Sequence, residues 1–180
     1  MPAILTHWSV LGGDRSPVGA VAGGEYAVPG GVTQNFARGK IFWSPTTGAR
    51  AMWGDLLARY EALGGPGGPL RLPMTDETPT RDGGAYNAMQ GGRLMWHPRT
   101  GAWGVFGGMN DVYGRLGAEW GPLGYPVSGE GASSVAGVAV QGFEGGATYW
   151  SADRGTRAVW GGSTPAGGRT AVRVAHSVSR

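Results

Sequence analysis

The chain has 180 residues, 41% of them hydrophobic, with 8 tryptophans, 37 glycines and 12 prolines: enough apolar material for a packed core, and enough breakers to keep each element short. It has no cysteine, which excludes disulfides, thiolate metal sites and cysteine nucleophiles. The net charge of +3 comes from Arg169, Arg173 and Arg180, because residues 1–161 carry 12 basic and 12 acidic side chains; no nucleic-acid-binding face is expected, and no apolar run is long enough for membrane insertion.

The segment from Met1 to His7 lacks a basic stretch and its apolar run is short, so a chain starting there is not expected to use the general secretory route. The first predicted element is a short helix, in which Ile4, Trp8 and Leu11 follow i, i+4, i+7 spacing and share one face. Leu56, Tyr60 and Leu63 repeat that spacing, as do Met109, Tyr113 and Leu116. Asp55 and Asn110 or Asp111 stand where an N-cap belongs, and Leu11-Gly12-Gly13, Leu63-Gly64-Gly65 and Leu116-Gly117-Ala118 read as C-terminal stops. Helices this short depend on packing for their stability.

After each helix comes an irregular Gly and Pro stretch, then a hairpin. Lys40–Ser44 and Ala49–Trp53 form the first, and residues 93–106 and 147–160 supply its counterparts, with Gly48, Gly101 and Gly155 closing the turns. Trp43, Trp96 and Trp150 are 53 and 54 residues apart, and the three Leu-Gly stops are 52 and 53 apart. Such a period marks tandem repeats whose apolar faces need neighbours to cover them. The expected fold class is therefore α+β, with pseudo-symmetric units at 1–54, 55–107 and 108–161. The segment 162–180 reads as a flexible or extended C-terminal arm, with Val172 and Val174 flanking Arg173, able to add a strand to a neighbouring subunit.

The stretches Leu63-Gly64-Gly65-Pro66-Gly67-Gly68-Pro69-Leu70-Arg71-Leu72-Pro73 and Leu116-Gly117-Ala118-Glu119-Trp120-Gly121-Pro122-Leu123-Gly124-Tyr125-Pro126 resemble the LGFP repeat. Phe143-Glu144-Gly145-Gly146 and Tyr149-Trp150-Ser151 extend the likeness over residues 1–161. The resemblance implies a noncatalytic module of mycolic-acid-bearing actinobacteria that holds envelope enzymes on cell-wall polysaccharide. The second unit departs from the motif at Arg71 and the first, Val18-Gly19-Ala20-Val21, lacks its proline. A glycine with positive φ cannot become arginine without strain, so the Arg71 loop is expected to be rebuilt.

Glu25, Glu77 and Glu130 each follow a repeat leucine by fourteen residues, while Gln34, Asn87 and Gln141 each precede a hairpin tryptophan by nine. A carboxylate or amide suits sugar hydroxyls, and equally suits tying down a loop or strand edge. Trp43, Trp96 and Trp150, with Trp53, Phe106 and Trp160, read as a shared and mostly buried core. The glycan-binding candidates are the aromatics that vary between units, Trp120, Tyr125, Trp103 and Tyr86, together with Glu77, Glu130, Gln141 and Asn87. No nucleophile elbow, metal-ligand His pair or phosphate loop occurs, so no enzyme, cofactor or metal is expected.

Two readings follow. One is a module that binds cell-envelope polysaccharide at the extracellular surface by many weak contacts. The other is a phage virion protein, decorating capsid or tail as a homo-oligomer through residues 162–180 and touching the host surface with the same repeats. The second would account for a start at Met1 without an export signal.

Overall fold

The computed structural model describes residues 3–162 and 171–176. They belong to two compact units, Met1–Gly104 and Val105–Arg180. The first unit opens with helix α1 (Ala3–Val10), continues through strands β1 (Val21–Val28), β2 (Gly31–Phe36), β3 (Gly39–Ser44) and β4 (Gly48–Trp53), and then begins a second cycle. That cycle is α2 (Gly54–Ala62), β5 (Thr78–Pro79), β6 (Ala85–Met89), β7 (Gly92–His97) and β8 (Gly101–Phe106), whose last residues enter the second unit. The second unit holds α3 (Gly107–Arg115), β9 (Gly131–Ala132), β10 (Val138–Phe143), β11 (Gly146–Ser151), β12 (Gly155–Gly162) and β13 (Ala171–His176).

The strands form antiparallel meanders in the orders β1-β2-β3-β4, β5-β6-β7-β8 and β13-β12-β11-β10-β9. Gly48, Gly101 and Gly155 close the hairpins at φ 68°, 78° and 63°, the left-handed turn that their spacing predicts. The protein is more β-rich than the sequence reading, which left β1, β2, β5, β6, β9 and β10 inside irregular stretches. Val172 and Val174 do lie in a strand, but β13 pairs with β12 of its own chain, from Arg157↔His176 to Gly162↔Ala171. Residues 163–170 and 177–180, the rest of the supposed arm, lie outside the described residues.

Each helix buries the expected face: Ile4, Leu56 and Met109 are enclosed, as are Tyr60 and Tyr113. The helices start earlier than predicted, at Gly54 and Gly107 for α2 and α3, so Asp55 and Asn110 fall inside the first turns, Asp111 lies just beyond, and the N-cap residues Trp53 and Phe106 make no side-chain capping bond. Within the first unit neighbouring repeats share their core. The Phe42 ring of the first repeat meets Tyr60 of the second edge-on at 5.4 Å, and Asp76 Oδ1 accepts both from the Ala51 backbone N–H and from His7 Nε2 at 2.8 Å.

One arrangement recurs unchanged. Gly19, Arg71 and Gly124 take φ of 78°, 56° and 67° at matching loop positions. The loop at Arg71 is therefore not rebuilt; the arginine accepts the left-handed conformation, because the contacts around it fix the backbone. The carbonyl of each of these residues takes a hydrogen bond from an aromatic of the preceding helix: Trp8 Nε1 to Gly19 at 2.8 Å, Tyr60 OH to Arg71 at 2.5 Å and Tyr113 OH to Gly124 at 2.9 Å. Backbone N–H groups of Ala37 and Arg38, Gln90 and Gly91, and Glu144 and Gly145 tie down the carbonyls on either side.

Tyr60→Phe and Tyr113→Phe should each lower unfolding stability by about 1–3 kcal/mol, the cost of leaving an enclosed carbonyl unpaired. Arg71→Gly should raise it by about 0.5–1 kcal/mol, the left-handed strain less the extra freedom of glycine in the unfolded chain. Urea titration of the variants checks both signs.

Candidate functional site

Each repeat carries a groove at the start of its helix. Ala3, Ile4, Glu25, Val32 and Trp43 line the first, about 260 Å³ in volume. Trp53, Gly54, Asp55, Leu56, Glu77 and Trp96 line the second, about 270 Å³. Phe106, Gly107, Gly108, Met109, Glu130 and Trp150 line the third, about 310 Å³. The tryptophan, the glutamate and the first buried residue of the helix thus converge at the same place in every repeat.

This corrects the reading of Trp43, Trp96 and Trp150 as mostly buried core. Trp43 and Trp96 are half-buried and Trp150 is 42% exposed. They stand two residues beyond the buried Ile41, Leu94 and Thr148 on β3, β7 and β11, hence on the same sheet face but nearer the hairpin turn. Trp43 accordingly packs against the cluster of Ile4, Val18 and Ile41 while also lining the open groove.

The second groove differs in charge. The Trp96 indole N–H donates to Asp55 Oδ2 at 2.9 Å, where the other repeats have Ala3 and Gly108. Burial, with the Asp55 carboxylate adding to it, pushes the Glu77 carboxyl up to about 7. Gly108 has its own constraint: a Cβ there would come within 2.6 Å of Thr156 Oγ1.

The repeated amides are clamps. Gln34 Nε2 donates to the Gly23 carbonyl at 2.6 Å, Asn87 Nδ2 to Thr75 at 3.0 Å and Gln141 Nε2 to Ser128 at 3.0 Å, each carbonyl lying two residues before the groove glutamate. Asn87 and Gln141 are buried and hold the loop that presents the carboxylate, which corrects their candidacy as ligand groups. Tyr125 is corrected too: it is fully buried in the place of Ala20 and Leu72, so its ring offers no face to a polymer.

Glu77 and Glu130 do line grooves, whereas the other candidates lie elsewhere. Trp120 is 68% exposed on the turn after α3 and lines none of the three grooves. Tyr86 is half-buried on β6, opposite Thr78 and Met95. Trp103 is half-buried, with the Arg59 guanidinium 4.3 Å from its ring centroid and its indole N–H donating to Thr100 O. The groove residues that the sequence reading passed over are the three hairpin tryptophans, Asp55 and the helix starts. Their signal was available, since the tryptophan and the glutamate recur together in all three units. Among the described residues no group of three or more His, Asp or Glu side chains is placed to hold a metal ion.

Glu77 gives the fold a pH dependence of defined sign. Between the ordinary value of 4.5 and about 7 the folded chain keeps a proton that the unfolded chain has lost, so stability falls as pH rises through this window. Glu77→Gln should remove that fall, the variant gaining on the parent above pH 7 and the gap closing below pH 4.5; thermal melts across the window measure it.

A model of the LGFP repeat matches residues 18–68, 70–121 and 123–169. No curated protein sequence matches the chain. The three matches begin at Val18, Leu70 and Leu123, the buried residue just before each left-handed loop position, and so cut the same cycle in the loop rather than before the helix. With three consecutive matches spanning most of its length, the chain belongs to the LGFP repeat family.

Proposed function

We propose that the protein is a noncatalytic module that binds cell-envelope polysaccharide of mycolic-acid-bearing actinobacteria through its repeat grooves. The observation that carries this reading is the recurrence of one tryptophan and one glutamate beside an apolar helix start in three grooves of similar volume. An indole face is apolar and packs against sugar C–H groups, while a carboxylate accepts hydrogen bonds from hydroxyls at the ring edge. Open grooves of this size take one or two sugar residues of a longer chain and let the polymer pass through. Each contact is weak, and three on one chain sum to useful retention when they engage the same polymer.

The test is retention of the chain on purified wall polysaccharide. Trp43→Ala, Trp96→Ala and Trp150→Ala should each lower retention by about two- to tenfold, as expected for one aromatic stacking contact. The triple variant should lose it, with circular dichroism confirming that it stays folded. Equal retention by the triple variant, equal recovery on walls of unrelated bacteria, or release of reducing sugar would each count against the proposal.

A further inference from the structure

A second cavity adjoins the groove of the middle repeat. It measures about 460 Å³ and is lined by Asp55, Ala58, Arg59, Ala62, Gly101 and Ala102. Asp55 lines both spaces and so stands at their junction. Asp55, Ala58, Arg59 and Ala62 follow i, i+3, i+4, i+7 spacing and form one face of α2. The small side chains of Ala58 and Ala62, with Gly101 and Ala102 at the start of β8, leave the room.

Arg59 is fixed in this cavity twice over. Its guanidinium lies 4.3 Å from the centroid of the Trp103 ring, and its Nε donates to the Ala102 carbonyl at 2.8 Å. Asp55 is one turn earlier on the same helix, yet none of the described ion pairs includes Arg59, and Asp55 instead accepts the Trp96 indole N–H. The two terminal nitrogens are thus held in place without a carboxylate. An oriented guanidinium with both terminal groups available is suited to gripping a carboxylate or phosphate in two-point fashion. The matching positions are His7 and Arg50 in the first repeat and Val112 and Arg157 in the third, so the middle repeat alone pairs an arginine with a tryptophan here.

We infer that the Arg59–Trp103 pair and its cavity form an anion subsite of the middle repeat, which takes a carboxylate or phosphate group carried by the polymer in the adjoining groove. The polymer rests on the glycan-binding reading above; the anion subsite stands on its own geometry. Asp55 at the junction repels an acidic substituent from the groove side and so sets the register of the chain across both spaces.

Calorimetric titration of the full chain with matched neutral, uronate-bearing and phosphodiester-linked oligosaccharides tests this. At low salt the acidic ligands should bind about tenfold tighter than the neutral one, and added salt should narrow the gap. Arg59→Gln should abolish the preference while neutral binding persists, and Arg59→Lys, which keeps the charge without the fork, should restore part of it. The uronate and phosphodiester arms show which acidic group the subsite prefers. Equal affinity of the parent for neutral and acidic ligands, or a preference that survives in Arg59→Gln, overturns the inference.

Should no oligosaccharide bind at all, the glycan-binding reading fails, and the subsite is decided separately by the Trp103 indole N–H resonance during titration with glucuronate and with inorganic phosphate. A saturable shift that Arg59→Gln loses supports the subsite. No shift in the parent, or the same shift in the variant, overturns it. Unchanged far-ultraviolet circular dichroism of Arg59→Gln guards against misfolding, and if that variant unfolds, Arg59→Lys carries the comparison, its retaining the full response counting against the two-point grip.

Discussion

A hydrogen bond from a helix aromatic to a carbonyl in left-handed backbone organises every repeat. Trp8, Tyr60 and Tyr113 reach from the last turn of a short helix to Gly19, Arg71 and Gly124, and in doing so fix the distance between helix and loop. Such helices have little intrinsic stability, so they need an anchor outside themselves. The loop needs one as well, because its turn is strained wherever glycine is replaced. The ring supplies both with one polar atom, while its apolar body fills the core: Tyr113 packs on Phe143 at 4.9 Å and Trp8 stacks on Phe36 at 6.1 Å.

The groove follows from that anchor. With the loop held at its left-handed residue, the chain runs on to Gly23, Thr75 or Ser128, where the amide of Gln34, Asn87 or Gln141 clasps it. Two residues later the glutamate is delivered to the helix start, across from the tryptophan. Positions that look like ligand groups by chemistry, the amides, are buried in service of the one that lines the opening. The groove is thereby preorganised, with each carboxylate presented by a loop whose backbone is clasped two residues earlier.

Much of the fold was legible in spacing, and the errors have physical causes. The hairpins, the turn glycines and the helix faces followed from period and residue type. The outer strands were not legible, because β5 and β9 are two residues long and β1 contains Gly23 and Gly24, leaving no alternation to read. Arg71 misled because a rule about single residues cannot see three hydrogen bonds holding a loop. The tryptophans misled for a subtler reason: identical placement in a repeat is expected of a core, but it is equally the mark of a site that has been copied. Burial separates the two, and burial depends on how far along its strand a residue lies from the helix, which sequence alone does not reveal. Tyr125 shows the reverse error, a ring that varies between repeats yet is as buried as Leu72 at the matching position, where the first repeat has an exposed Ala20.

The Asp76 clasp has a bearing on how such an array can change length. Its carboxylate belongs to the middle repeat but satisfies His7 and the Ala51 N–H of the first, and the third repeat has Gly129 at the matching position. The repeated segment is one helix and one meander long, whereas the first compact unit, Met1–Gly104, takes in the first repeat and nearly all of the second. A recombination event that cuts between the first and middle repeats would separate a carboxylate from both its partners and open a shared core. A cut after Phe106, where β8 ends, would spare both the clasp and the Phe42–Tyr60 contact, so lineages that gain or lose repeats should carry the first two as an inherited pair and vary beyond them.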